Sequence, residues 1–285
     1  MLFLILFLIV IILISFISKR EELSIENINI KGNIVTLNED ILNIVNQNIE
    51  GNYFWLFSKS NFLIFPRFKI KKDILDTILR IDDLDISFEN PQTININITE
   101  RKPFALYCKN LVVQLLSNEE IEDGLTDTAT TTSKNLVVGL LSKEKDECYF
   151  MDKNAYIYEK SPDFSDDIYF KYMGDTNNIA SSTESYILGK TYLSQAREDQ
   201  FDKVNLFIIY LKNININVYR LLVKENGDYE LYFDDDSKLI FDENQDFNVI
   251  FENLQAVLVD IEDLREEQFE YIDLRFDNKI LYKFK

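Results

Sequence analysis

The chain has 285 residues, 46% of them hydrophobic, which is enough for a sizeable core and roughly two domains. Its net charge of -19 argues against nucleic acid, whose binding depends on Lys and Arg displacing counterions from phosphate. The absence of histidine removes Ser-His-Asp and Cys-His catalysis and His-containing zinc sites, and 2 cysteines are too few for a zinc site built on thiolates.

Leu2 to Ile17 is Leu, Ile, Phe and Val interrupted by Ser15. No basic side chain precedes the run and no small-residue cleavage site follows it, so it reads as an uncleaved transmembrane anchor over residues 1–18 rather than a signal peptide. Lys19 and Arg20 come directly after it, and by the positive-inside rule alone they would hold the bulk of the chain on the cytoplasmic side.

Ile25 to Ile30 reads as a strand and Lys31-Gly32-Asn33 as its turn. Thr36-Leu37-Asn38-Glu39 fits a capping box opening a helix with Ile41, Leu42, Val45 and Ile49 on one face, ended by Gly51-Asn52. Tyr53 to Phe57 is an aromatic-rich extended piece, and Ile70 to Leu79 a second helix with Ile74, Leu75 and Ile78 inward. Leu84 to Phe88 alternates as a strand. In Asn90 to Ala105, Ile94, Ile96 and Ile98 alternate with Asn95, Asn97 and Thr99, the period of a strand with one buried face. Asn90-Pro91 supplies the turn before that strand, and Pro103 stops it.

Ala105–Cys108 and Cys148–Asp152 read as two strands interrupted by an insert over residues 109–147. Within the insert, Asn110-Leu-Val-Val-Gln-Leu-Leu-Ser117 recurs as Asn135-Leu-Val-Val-Gly-Leu-Leu-Ser142. Two copies are too few for a solenoid, so a duplicated hairpin arm with a polar, Thr-rich tip at Thr126 to Ser133 is the simpler reading. Cys108 and Cys148 stand at the base of that arm; in an oxidising compartment they are expected to form a disulfide, and otherwise two buried thiols in adjacent strands. Asp152 to Tyr158 is similar to a hairpin pattern, Asp-x-x-Gly-x-x-Phe, of the family named below, with Ala155 where that pattern has Gly.

Glu198 to Leu211 has helical spacing, with Phe201, Val204, Ile208 and Leu211 on one face, and Phe247 to Val259 is another amphipathic helix. Between them lie strands at Val218–Val223, Tyr229–Phe233 and Lys238–Phe241, joined at Asn226-Gly227 and Asp234-Asp235-Asp236. Tyr271–Phe276 and Lys279–Phe284 pair around Asp277-Asn278. The acids at 234–236 with Asp242 and Glu243 lack the alternating ligands and the central Gly of an EF-hand loop and read as solvated hairpin ends. Carboxylate chemistry has no specific signal among 49 Asp and Glu, and no catalytic residue, metal site, cofactor or small-molecule ligand is assigned.

Three segments together resemble a known family. They are the run Pro91-x-Thr-Ile-x-Ile-x-Ile-x-Glu-Arg-x-Pro-x-Ala105, the Ile28-x-Ile-x-Gly-Asn33 start and Ile272-Asp-Leu-Arg-Phe276. They resemble the FtsQ/DivIB-type bacterial cell-division proteins, which carry a POTRA domain of order β-α-α-β-β. The resemblance implies an α+β chain: a single transmembrane helix, a POTRA domain over 23–101, then a β-rich domain with two helices over 102–285. It also implies a plasma-membrane, single-pass protein at the division septum with its bulk outside the cytoplasm, against the charge rule. The implied role is a non-enzymatic scaffold joining early division proteins to an FtsB/FtsL-like pair and to septal peptidoglycan synthesis. The alternative from another class is an anchored, extracytoplasmic hydrolase working through carboxylates. The partner-binding candidate is the last strand, Lys279, Ile280, Leu281, Tyr282, Lys283 and Phe284, with lysines that protect an edge and offer positive charge. The resemblance implies that an FtsB-like segment pairs there by β-augmentation.

Overall fold

The computed structural model describes residues 2–109, 147–164, 168–174, 187–193, 198–224, 226–262, 269–276 and 279–285. The chain divides into two units, Met1–Lys102 and Pro103–Lys285. The duplicated arm expected at 110–146 and its Thr-rich tip lie outside the described residues.

In the first unit the apolar N-terminal run forms helix α1 (Leu2–Ser18). Among the described residues no helix is long and apolar enough to cross a membrane. This corrects both the transmembrane anchor and the single-pass placement outside the cytoplasm that were expected to follow from it. The physical reason is length. At about 1.5 Å per residue the 17 residues of α1 span roughly 25 Å, short of a hydrocarbon core of about 30 Å. The last turn is moreover bound to protein. Ser15 Oγ donates to the Leu56 carbonyl at 2.6 Å, the Ser58 N–H donates to Ser18 Oγ at 2.9 Å, and Asn61 Nδ2 donates to the Ser18 carbonyl at 3.1 Å.

The remaining elements of this unit are β1 (Asn27–Lys31), α2 (Asn38–Ile49), the short strands β2 (Asn52–Tyr53) and β3 (Phe57–Ser58), α3 (Arg67–Thr77), β4 (Ile81–Asn90) and β5 (Thr93–Glu100). β5 lies in the middle of a three-stranded sheet, parallel to β1 and antiparallel to β4. Ile94, Ile96 and Ile98 point into one core with Ile41 and Val45 of α2 and Ile70 and Ile74 of α3, as the period-2 and helical patterns require. Gly32, at φ +90°, follows β1 where the chain nearly touches β5. A Cβ there would stand 2.1 Å from the Ile98 carbonyl oxygen.

Two local expectations fail in instructive ways. The Thr36–Glu39 capping box does not form, because the cap residue of α2 is Leu37, which makes no side-chain cap bond. The loop ahead of α2 is held instead by Glu100, at the end of β5. Its carboxylate accepts the N–H groups of Ile34 at 3.0 Å, Val35 at 3.1 Å and Thr36 at 2.8 Å. The piece from Tyr53 to Phe57 is extended only at its ends: Tyr53 in β2 and Phe57 in β3 pair as a hairpin, whose tip, Phe54 and Trp55, has φ of 49° and 62°. The adjacent Arg101 ties the other end of the sheet, with Nε donating to the Leu79 carbonyl at 3.1 Å and Nη1 2.8 Å from Asp82.

Among the described residues, the second unit is built on a ten-stranded sheet. Its strands are β6 (Ala105–Cys108), β7 (Cys148–Met151), β8 (Tyr156–Lys160), β9 (Lys171–Gly174), β10 (Lys190–Thr191), β11 (Val218–Val223), β12 (Asp228–Phe233), β13 (Lys238–Asp242), β14 (Phe269–Phe276) and β15 (Lys279–Phe284). The spatial order is β10-β8-β7-β6-β9-β11-β12-β13-β14-β15. Parallel pairings of β9 with both β6 and β11 join the two ends into one continuous sheet. Helices α4 (Glu198–Asn213) and α5 (Phe247–Glu262) cover its core. Phe201, Val204, Phe207 and Leu211 of α4 and Ile250, Leu254 and Val257 of α5 pack there with Tyr229, Leu231, Leu239 and Phe241 of the central strands.

The turn between β7 and β8 keeps a left-handed residue although it is not glycine: Ala155 has φ 63°. Asp152 compensates by accepting the N–H groups of Asn154 at 2.8 Å and Tyr156 at 3.0 Å.

Candidate partner-binding edge

The final strand forms because Lys279 to Phe284 alternates an apolar set, Ile280, Tyr282 and Phe284, with Lys279, Leu281 and Lys283. It pairs antiparallel with β14, in register Phe269↔Phe284, Ile272↔Tyr282 and Asp273↔Leu281. Among the described residues no strand lies beyond it, so its outer backbone groups face away from the sheet. All six expected edge residues therefore stand on one terminal strand.

Burial along β15 is shallow. Ile280 packs against the main core, while Leu281 and Tyr282 are 47% and 50% exposed. Tyr282 and Phe284 form a ring cluster with Phe269 across the pair, with centroids 4.7–6.1 Å apart. This fixes one face of the edge as an aromatic step. Register shifts between Phe269 and Tyr271, and again between Asp273 and Phe276, bend the β14–β15 ribbon. Such irregularities limit indiscriminate edge pairing.

The expected positive strip is partly spent within the chain. Lys283 pairs with Glu270, and that hydrogen bond raises its pKa. Lys285 donates to the Asp235 carbonyl at 2.6 Å and lies 3.6 Å from its carboxylate. Sequence reading missed Phe269, Glu270 and Asp235 as members of this edge, because their contribution comes only through cross-strand register or through a turn far along the chain.

Behind the edge, Arg275 of β14 grips two carboxylates. Nε donates to Asp273 Oδ1 at 2.9 Å and Nη2 to Asp273 Oδ2 at 2.6 Å, while Nη1 reaches Asp228 Oδ2 at 2.7 Å. The hydrogen bond to Asp273 raises the arginine's pKa above its already high value, so it carries its charge throughout. Asp228 starts β12, so the guanidinium spans the sheet across β13. On β12, burial disfavours ionisation of Glu230. Bonds from Lys224, Tyr232 and Lys238 outweigh that and hold its carboxyl below the usual range.

Cys108 and Cys148, opposite each other on β6 and β7, are joined by a disulfide. Beside it the buried Lys109 pairs with Glu147 at 2.9 Å. Hydrogen bonds from Lys160 and Lys109 lower the Glu147 carboxyl to about 2. The acids at the 234–236 turn are engaged locally: Asp235 accepts the Ser237 N–H at 3.0 Å, and Asp236 takes the Tyr219 hydroxyl. Among the described residues no group of three or more His, Cys, Asp or Glu is arranged to hold a metal ion. The sequence matches no protein-family model and no curated protein.

Proposed function

We propose that this chain is a non-enzymatic scaffold of the FtsQ/DivIB type, and that β15 receives a strand from an FtsB-like partner of an FtsB/FtsL-like pair. The observation that carries the reading is the position of β15: among the described residues it is the last strand of a ten-stranded sheet and has no strand beyond it, with Leu281 and Tyr282 half exposed. An added strand would satisfy that edge, and the Tyr282–Phe284–Phe269 cluster would select its side chains. The first unit adds support. Its main elements run strand, helix, helix, strand, strand, as a POTRA domain does, with the β2–β3 hairpin between the helices. The Glu100-Arg101 pair of the resembling motif has a physical task there, Glu100 holding the loop at 34–36 and Arg101 the chain at Leu79 and Asp82 where β4 begins.

Two experiments test the reading. Depleting the protein from its native cells should stop septation while elongation continues, giving filaments. The purified chain should also bind the FtsB/FtsL-like pair of the same cell. Normal division after depletion, or no binding of that pair, would overturn it.

A further inference from the structure

Helix α1 and the β2–β3 hairpin stand side by side. The Ser58 N–H donates to Ser18 Oγ, and Ser15 Oγ, one turn earlier, donates to the Leu56 carbonyl. The hairpin therefore runs back along α1, with its tip toward the apolar body of the helix. Among the described residues of α1, Ile11, Ser15 and Ser18, spaced i, i+4 and i+7, form the stripe with reduced exposure. The rest of the helix is apolar and open, from Val10 at 44% exposed to Phe3 at 88%. At the tip, Phe54 and Trp55 are 88% and 90% exposed. Both hold a positive φ, the region that turns normally give to Gly or Asn. Two bulky aromatic rings are thus held out from the protein at a conformational cost. Leu63 and Ile64 extend the exposed apolar surface beside Asn61, whose side chain bonds the end of α1.

No charged side chain occurs from Leu2 to Ser18 or from Asn52 to Ser58. Charges follow at the base of the pair, where Lys19, Arg20 and Lys59 nearly cancel Glu21, Glu22 and Glu50. The Arg20 guanidinium lies 5.3 Å from the Phe16 ring centroid, and the Lys59 ammonium 5.8 Å from that of Tyr53. A groove on a partner protein covers one face of a helix, whereas α1 is apolar on every side that the hairpin leaves open. A second copy of the chain would cover one stripe more and would bring another net charge of -19. A lipid layer covers all sides at once, accepts a Trp ring near its border with water and leaves the charged base among its headgroups. We infer that the Phe54–Trp55 tip, together with the apolar body of α1, inserts from one side into a lipid surface. This insertion involves no crossing of the layer, and it is independent of the reading given to β15.

Trp55 is the one tryptophan in the sequence, so its fluorescence reports the tip alone. The whole chain, purified in mild detergent, is transferred to phosphatidylcholine vesicles, and vesicle-bound protein is collected by flotation. Trp55 emission should shift to the blue, and bromines on the acyl chains should quench it. Iodide in the buffer should quench it at least fivefold less than it quenches free N-acetyltryptophanamide. These readings should persist at high salt, because apolar area rather than charge drives the insertion. Phe54→Asp, which suits the left-handed backbone there, should withdraw the tip and raise iodide quenching at least threefold while circular dichroism stays unchanged. A chain that stays out of the vesicle fraction would overturn the inference. So would floated protein whose Trp55 is open to iodide and untouched by brominated chains, or a Phe54→Asp variant with unchanged quenching. Lipid-free oligomers that already shield Trp55 would overturn it as well, since a second copy would then cover the tip.

Discussion

The Arg275 guanidinium forks the Asp273 carboxylate two residues away on the same strand, at 2.9 and 2.6 Å, and extends a third bond to Asp228. Asp273 and Asp228 are 4% and 8% exposed, so both carboxylates depend on that one arginine for much of their lost solvation. Replacing Arg275 with Met should cost about 3 kcal/mol, the lower end for breaking a buried ion pair, because the arginine itself is partly exposed. Urea unfolding measures this. Adding Asp273→Asn to that variant should restore part of the loss, which general damage to the sheet would not allow.

Glu100 makes the first unit sensitive to acid. Burial disfavours its charge, yet the N–H groups of Thr36, Ile34 and Val35 outweigh that and lower its pKa below the ordinary 4.5. A lowered folded-state pKa means that the stabilisation is present above the unfolded value and is lost as pH falls through the folded one. Hydrogen exchange at Val35 and Thr36 should therefore accelerate below about pH 4.5 relative to the intrinsic rate. Glu100→Gln should exchange these amides faster at pH 7, corresponding to a loss of about 1–2 kcal/mol, and should show little further loss on acidification. Identical protection in the two proteins at pH 7 would mean that the carboxylate does not hold this loop.

The disulfide closes a loop with a sequence separation of 40 residues. In the chain-entropy model that constraint contributes about 4 kcal/mol to the unit that contains it. Reduction, or Cys108→Ser with Cys148→Ser, should lower the melting temperature of the second unit and leave exchange in the first unit unchanged. Equal melting of oxidised and reduced protein would show that the bridge adds nothing.

What the sequence made legible was mostly what local periodicity encodes. The alternation of Ile94, Ile96 and Ile98 marks β5, and the spacing of Ile41 and Val45 marks the inner face of α2, because each side chain's environment follows from its neighbours along the chain. The edge strand at Lys279–Phe284 was readable for the same reason. Contacts between distant segments were not. The Glu100 grip on Ile34 to Thr36 joins positions more than sixty residues apart, and a local Thr–Glu capping pattern competed with it on paper. The left-handed Phe54–Trp55 tip has no glycine or asparagine to announce it. The anchor reading of α1 rested on composition, which carries no trace of the Ser15 and Ser18 bonds that bind its end to the β2–β3 hairpin. The exposure of Leu206 and Ile209 on α4 did leave a signal, since the unbroken run Leu206 to Leu211 is too wide for a single core stripe.

The central claim is that a partner strand pairs with β15, and hydrogen exchange along that strand tests it most directly. Exchange is measured by mass spectrometry on the whole chain, with and without a saturating FtsB-like partner. Pairing should slow exchange across Lys279 to Phe284 at least tenfold, and Leu281→Pro, which removes a ladder donor, should weaken the complex by a similar factor with the melting curve retained. Partner binding that leaves exchange along Lys279 to Phe284 unchanged would contradict the account.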